Sequence, residues 1–255
     1  MSLVVDGVTK TFGGNTALQD VSFTVETGKL TALIGPNGAG KTTMFNCIAG
    51  LHRPTSGTVT LDGRDITGLG PSRVLDAGIA RTFQLVRSFR ELTVLETIMT
   101  AGHWRSGQGF WNSILALPGA RSSEETLASE AHATLEALGL HHLAGRRVHE
   151  LPYGQQRLVE IAKALMTGAR TLLLDEPAAG LHPEEVHSLR QLLAALRDRG
   201  TTILLVEHNM PFVLSIADHV VVLEFGRKIT DGTPVEIAND QRVIDSYLGK
   251  EEDIA

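Results

Sequence analysis

The densest chemistry in this chain sits in GPNGAGKTT, residues 35–43. Gly35, Gly38 and Gly40 would let successive backbone N–H groups turn inward around a phosphate, because a residue without a Cβ enters the left-handed region freely. Lys41 adds a positive charge for the β- and γ-phosphates of a nucleotide, and the Thr42 hydroxyl suits Mg2+. A second stretch, TLLLDEP at 171–177, ends an apolar run in two carboxylates. Asp175 would stand at the C-terminal edge of a strand, where ligands of parallel sheets sit and a metal needs a partner, and Glu176 is placed to act on a water. Together the two stretches fit hydrolysis of a nucleoside triphosphate, which needs Mg2+ on one side and a polarised, in-line water on the other.

Three further stretches say less alone. In LLVEHNM, 204–210, His208 follows another apolar run, and none of the ten histidines shows the paired metal-ligand spacing of HExxH. His208 is either a structural histidine or, at the end of a neighbouring strand, a group within reach of a γ-phosphate. ARTFQ, 80–84, ends in Gln84, and a glutamine there is silent without context. ELPYGQQRLVEIAKAL, 150–165, passes from a polar loop into a helical period with Leu158, Ile161, Ala162, Leu165 and Met166 on one face. A helix start exposes unpaired N–H groups and the positive end of the macrodipole, so this one is either an ordinary loop and cap or an anion site.

The elements that must position these residues are legible from pattern. LTALI (30–34), TLLLD (171–175), TILLVE (202–207) and HVVVLEF (219–225) are nearly continuous apolar runs. Such runs suit strands buried on both faces of a parallel sheet. VSFTV (21–25) and TVTL (58–61) alternate in period two, as half-exposed strands do. A helix is expected over 183–199, with Pro183 in its first turn, Val186, Leu189, Leu193 and Leu196 inward and Gly200 to stop it. Lying between two buried runs, it completes a strand-helix-strand unit. From 87 to 150 the buried-strand signal disappears: LTVLETIMTAG reads as helix, and Ser122-Ser123-Glu124-Glu125 reads as a capping box before Leu127, Ala131, Leu135 and Leu138, closed by Gly139. The expectation is an α/β core over 1–86 and 151–255 with a helical subdomain at 87–150. Between its helices, the stretch 103–119 carries Trp104 and Trp111, either tucked onto the subdomain or facing a partner.

Composition narrows the class. Of 255 residues, 42% are hydrophobic and 20% charged, as in ordinary globular proteins, and this speaks against disorder. The net charge is −6 with no long Lys/Arg run, so a dedicated nucleic-acid surface is not expected. Cys47 is the one cysteine, which excludes an intrachain disulfide and reads as a small core residue. MSLVVDGVTK has no signal-peptide core and no run reaches the roughly 18 apolar residues of a membrane span, so a membrane role is expected only through partners.

In chain order, GPNGAGKTT, RTFQ, LPYGQQ, LLLDEP, AAGLHP and VEH resemble the Walker A, Q-loop, signature, Walker B, D-loop and H-loop of an ATP-binding cassette (ABC) ATPase. The likeness runs over about residues 3–249. Within that superfamily, FGGNTAL, RTFQLVRSFRELTVLET, the aromatic stretch at 103–119, EPAAGLHP and VIDSYLG are similar to the ATPases of branched-chain amino acid importers. The resemblance implies a RecA-like P-loop core with an N-terminal antiparallel β subdomain and an inserted α-helical subdomain.

It also implies roles. Gly35, Asn37, Gly38, Ala39, Gly40, Lys41, Thr42 and Thr43 would hold ATP, with Thr42, Gln84 and Asp175 on Mg2+. Glu176 would be the general base and His208 would orient the attacking water at the γ-phosphate. Phe12 sits where the family stacks a ring on adenine. Such ATPases work as head-to-tail dimers, so Pro152, Tyr153, Gly154 and Gln155 of one subunit would face the γ-phosphate held by another, a copy or a homologue. The implied partners are transmembrane permeases at the cytoplasmic face of the membrane, which dock the Q-loop and helical subdomain, and, indirectly, a substrate-binding protein. Related importers take urea, amides or other amino acids, and soluble ABC proteins of translation or DNA repair usually carry two cassettes or a long coiled coil. A P-loop GTPase is disfavoured because NKxD does not occur. Two positions depart from the family pattern: Pro152 replaces the usual signature serine, and His182 the usual D-loop aspartate.

Overall fold

The computed structural model describes residues 2–82, 91–105 and 118–248, with the backbone alone at 103–105, 118–123 and 248. Gln84 and Trp111 lie outside the described residues, as does the Trp104 side chain. Contacts divide the chain into two units, Met1–Arg81 with Arg170–Ala255, and Thr82–Ala169.

The first unit holds both sheets. β1 (Ser2–Phe12), β2 (Asn15–Glu26), β4 (Ser56–Leu61) and β5 (Arg64–Asp65) form an antiparallel sheet in the order β2-β1-β4-β5. The period-two reading of 21–25 holds: Val21, Phe23 and Val25 are buried and Thr24 is exposed. The other sheet runs β10-β9-β3-β8-β7-β6, from β3 (Leu30–Ile34), β6 (Ile79–Arg81), β7 (Thr171–Asp175), β8 (Thr202–Val206), β9 (His219–Glu224) and β10 (Arg227–Gly232). All its pairings are parallel except β9 with β10. β3 and β8 are buried at every position, which is why they read as unbroken apolar runs.

Helices α1 (Lys41–Ile48) and α2 (Pro71–Asp76) also belong to this unit. Phe45, Met44 and Ile48 of α1 join Leu33, Leu173, Leu204 and Val221 in one core. Cys47, expected in the core, is 3% exposed there, and burial pushes its thiol up to about 11.

The second unit is helical. α3 (Val94–Arg105), α4 (Pro118–Ala137) and α5 (Tyr153–Met166) surround a core of Val94, Ile98, Leu127, Ala131, Leu135, Val159, Ala162 and Met166. One local expectation fails here. Ser122–Glu125 does not cap α4, which already runs through the tetrad from Pro118; proline suits a first helical turn because its φ is fixed and its missing N–H costs nothing there. The other end behaves as read: Gly139 takes φ 70, and the Leu140 N–H donates to Leu135 O at 2.7 Å, closing the helix.

In the first unit, α6 (Pro183–Asp198) buries Leu189, Leu193 and Leu196 and lies in the chain between the adjacent parallel strands β7 and β8. It is followed by α7 (Met210–Ile216), α8 (Pro234–Ala238) and α9 (Gln241–Leu248). No helix among the described residues is long and apolar enough to cross a membrane.

Candidate functional site

Strand register brings the chemistry to one edge. Leu33 pairs with Val206, and Val206 with Asp175, so β3, β8 and β7 end side by side. The glycine loop follows β3, Glu176 follows β7 and Glu207-His208 follow β8. In a parallel sheet this C-terminal edge is where ligands bind.

The loop is bent by necessity. Gly35 has φ 149, and a Cβ there would meet Leu223 O at 2.0 Å; Gly40 has φ 98, and its Cβ would meet Ala17 O at 2.7 Å. No other residue fits either place. α1 then begins without a side-chain cap, leaving backbone donors and the positive helix end toward the loop. Lys41, only 7% exposed, lies across the loop and donates to Gly35 O at 2.7 Å and Pro36 O at 3.0 Å. Asn37, Gly38, Ala39, Gly40, Lys41, Thr42, Thr43 and Glu176 share a cleft of about 450 Å³ that Asn15, Thr16 and Phe225 also line. A bent backbone that tolerates no Cβ and a charged amine folded on that backbone fit a polyphosphate. Hard oxygen donors at Thr42 and Asp175 suit Mg2+, which takes few protein ligands beside phosphate and water. Among the described residues no group of three or more His, Cys, Asp or Glu forms a self-sufficient metal cage.

Glu176 occupies the left-handed region at φ 44, its N–H donating to Val206 O at 2.9 Å. For a residue with a Cβ this conformation costs about 1–3 kcal/mol and is commonest where geometry serves a site. His208 Nδ1 stands 3.8 Å from Glu176 Oε1 and 4.0 Å from Glu207 Oε2. A carboxylate and an imidazole are thus gathered beside the cleft, and such a pair is chemically able to position and deprotonate a water.

Glu207 was missed by sequence reasoning, although a carboxylate ending an apolar run was its signal. It is fully buried and accepts from the N–H groups of Ala178 at 2.8 Å, His208 at 3.2 Å and Asn209 at 3.5 Å. Burial pushes its carboxyl above the usual range, with these donors and the nearby imidazole pulling the other way. It therefore ties the loop after Glu176 to the loop carrying His208. Arg81 and Asn46 were missed as well, and only tertiary structure reveals them: the Arg81 guanidinium donates to Asp175 Oδ2 at 2.7 Å and to Asn46 Oδ1 at 2.5 Å.

Other expected residues fall elsewhere. Phe12 is 45% exposed at the β1–β2 hairpin, with Lys10 Nζ 4.8 Å from its ring centre and His52 edge-on at 5.2 Å. It is not a core aromatic, and it is not among the residues lining the cleft. Pro152–Gln155 belong to the second unit. Pro152 precedes α5 in extended conformation, φ −52 and ψ 151, with no side-chain cap, and accepts the Gln156 N–H at 3.1 Å. Tyr153 is held by Arg157, whose guanidinium lies 5.0 Å from the ring centre and donates to the phenol oxygen at 2.5 Å. His182 starts α6, its N–H donating to Glu185 Oε2 at 2.9 Å.

Comparison with known proteins places this geometry. Residues 18–179 match the model of the ABC transporter family, and residues 227–253 match that of the branched-chain amino acid ATP-binding cassette transporter. The high-affinity branched-chain amino acid transport ATP-binding protein BraF of Pseudomonas aeruginosa is 44% identical over 97% of this chain and 98% of its own length. LivG of Salmonella typhimurium, a protein of the same description, is 43% identical over the same shares. Among solved structures, the ADP conformation of MJ1267, an ATP-binding cassette of an ABC transporter, superposes with a TM-score of 0.86 at 36% identity, covering 98% of this chain and 99% of that one. A phosphate-cradling loop, a carboxylate pair and a histidine on one edge of a parallel sheet, in a chain that matches these proteins nearly end to end, assign it to the ABC transporter family, as an ATP-binding and ATP-hydrolysing subunit.

Proposed function

We propose that this ATPase powers uptake of branched-chain amino acids through separate membrane permeases, working with Mg2+ and as a head-to-tail dimer. The cargo reading is supported by the likeness to BraF and LivG and by the family match at 227–253. The mechanistic reading is carried by one observation: Lys41, Thr42 and Glu176 line one cleft, and His208 stands 3.8 Å from Glu176.

Lys41 would leave the carbonyls of Gly35 and Pro36 for the β- and γ-phosphates, exchanging neutral acceptors for charged ones, which form stronger hydrogen bonds. Gly38, Ala39 and Gly40 would offer N–H donors to the β-phosphate, Thr43 would face the α-phosphate side, and Phe12 would pack against the adenine. Thr42, Asp175 and Gln84 are the residues that would hold Mg2+, which when bound neutralises charge on the phosphates. Glu176 would take the proton of the attacking water while His208 holds that water in line. In the dimer, the start of α5 would bring backbone N–H groups of Gly154 and Gln155 to the γ-phosphate held by the partner. Closure on ATP and reopening after hydrolysis would then move the permeases, docked on the helical unit, with an external substrate-binding protein delivering the cargo.

The test of mechanism is Glu176→Gln, which keeps size and removes the base. ATP binding should persist while turnover falls roughly 10²-fold or more, the scale of general-base catalysis. Near-normal turnover in a dimer made only of this chain would remove Glu176 from that role. The cargo is tested by reconstituting the chain with the permeases that copurify with it. ATP-driven uptake of leucine, isoleucine or valine is expected, and uptake of urea or an amide alone would reassign the cargo.

A further inference from the structure

Arg81 is the last residue of β6, and it holds together two elements that lead to the site. One guanidinium nitrogen donates to Asp175 Oδ2 at 2.7 Å, at the end of β7, and the other to Asn46 Oδ1 at 2.5 Å, on α1 directly behind the phosphate loop. The pair is largely withdrawn from water, the two side chains being 12% and 13% exposed. Phe45 packs beneath, its ring centre 5.9 Å from the guanidinium carbon. Asp175 is the carboxylate for which the proposed function has another use, support of Mg2+, and this inference rests on that reading.

An Asp175 whose oxygen is already neutralised by a forked guanidinium attracts a second cation less strongly, and the two cations repel one another. Desolvation sharpens both effects, because charges withdrawn from water are screened less. Yet without Arg81 the carboxylate would be left poorly hydrated and uncompensated whenever the metal is away, the costly half of a buried pair. We propose that Arg81 is a positioning residue acting through Asp175: it is the counter-ion of this carboxylate in the metal-free state, competes with Mg2+ for it, and so sets how strongly nucleotide binding depends on the metal. The fork to Asn46 fixes the guanidinium in place, since one planar group satisfies both partners.

The experiment measures the dissociation constant of a fluorescent, non-hydrolysable ATP analogue in EDTA and in Mg2+, and takes their ratio. Arg81→Met and Arg81→Gln, the second keeping an amide donor so that folding is less at risk, should each raise the ratio about tenfold or more, the scale of one hydrogen bond to a charged group. Each should also lower the melting temperature in EDTA by more than in saturating Mg2+ and nucleotide. Arg81→Lys keeps the charge and should return the ratio to near the wild-type value, which a loss of packing alone would not do. An unchanged or lowered ratio in the neutral variants overturns the proposal, a lowered one because Arg81 would then be preparing Asp175 for the metal. Asp175→Asn separates the two readings: if it leaves the wild-type ratio untouched, the metal-support reading falls and this inference with it. If Asp175→Asn lowers the ratio and the Arg81 variants do not raise it, the inference alone falls.

Discussion

The helices α1 and α5 both begin without a side-chain cap, as α2 does, and these two starts are built in opposite ways. Before α1 the chain bends through Gly35, Gly38 and Gly40, all at positive φ, and Lys41 lies over the bend. Before α5 a 3-10 turn at Val148–Glu150 gives way to two extended residues, Leu151 and Pro152, with no glycine bend and, among the described residues, no cation folded over them. The first start is a closed cradle with its own cation and can hold a phosphate by itself. The second offers N–H donors and a dipole but no enclosing loop, so it suits a phosphate already held by another molecule. On the proposed function, identical backbone physics would give a binding site in one place and a docking element in the other, and the difference lies in the few residues before each helix.

That contrast is open to attack. The largest effect should come from Gly154→Asp, which sets a carboxylate at the α5 start against the partner's phosphate. ATP-driven dimerisation, read by gel filtration in a Glu176→Gln background, should vanish while nucleotide affinity of the isolated subunit stays unchanged. A dimer that still forms returns Pro152–Gln155 to an ordinary helix cap, and a loss of affinity in the monomer erases the contrast. Gly40→Ala should strike the other start. Its Cβ would fall 2.7 Å from Ala17 O and 2.8 Å from Leu18 Cδ2 at φ 98, with a strain of about 1–3 kcal/mol. The melting temperature should drop and ATP affinity with it, in monomer and dimer alike, by calorimetric titration.

Pro152→Ser should sharpen the contrast from the other side. Serine adds the hydroxyl that the family signature usually carries, and the ATP-bound dimer should tighten by up to about 1.5–3 kcal/mol if that donor reaches charged phosphate. A weaker dimer would mean that the fixed φ of proline matters more at this entry than a hydroxyl does.

The smallest effect concerns the edge that serves the α1 cradle. Burial raises the Glu207 carboxyl from its ordinary 4.5. The folded protein then binds more protons than the unfolded chain between that value and the raised one, so its stability falls as pH climbs through the window. Glu207→Gln should lose about 1 kcal/mol at the acid end, where a hydrogen bond is compromised. Its deficit against the wild type should shrink as pH rises from about 4.5 toward neutrality, because glutamine does not ionise. Parallel melting profiles across that range would contradict the burial argument.

The reading from sequence succeeded where local pattern and local chemistry coincide. β3, with five residues and no polar break except Thr31, could only be a buried strand, and a glycine-rich turn between it and a helix has few other uses. The α/β class and the helical part emerged from the same patterns, whereas the antiparallel sheet was implied by the resemblance to ABC ATPases. It faltered at α4, where Ser122–Glu125 imitates a cap inside a helix that starts at Pro118, because a capping box is a four-residue signal and a helix boundary is settled by everything that packs on it. Assignment of α5 went beyond local pattern too. The sequence reading put residues from 151 onward with the core, whereas contacts group α5 with α3 and α4, whose apolar faces meet through Val159, Ala162 and Met166.

By itself, then, the chain order of residues determined which side chains could do chemistry: Lys41, Thr42, Asp175, Glu176 and His208 are named by motif, and their strands by hydropathy. Only tertiary structure decided what each of them touches. Asp175 and Arg81 are 94 residues apart in sequence, as Ala178 and Glu207 are 29 apart, and no periodicity links such pairs. They meet because parallel strands β6, β7 and β8 lie side by side in a register fixed by backbone hydrogen bonds, which align strand ends without regard to how much chain separates them.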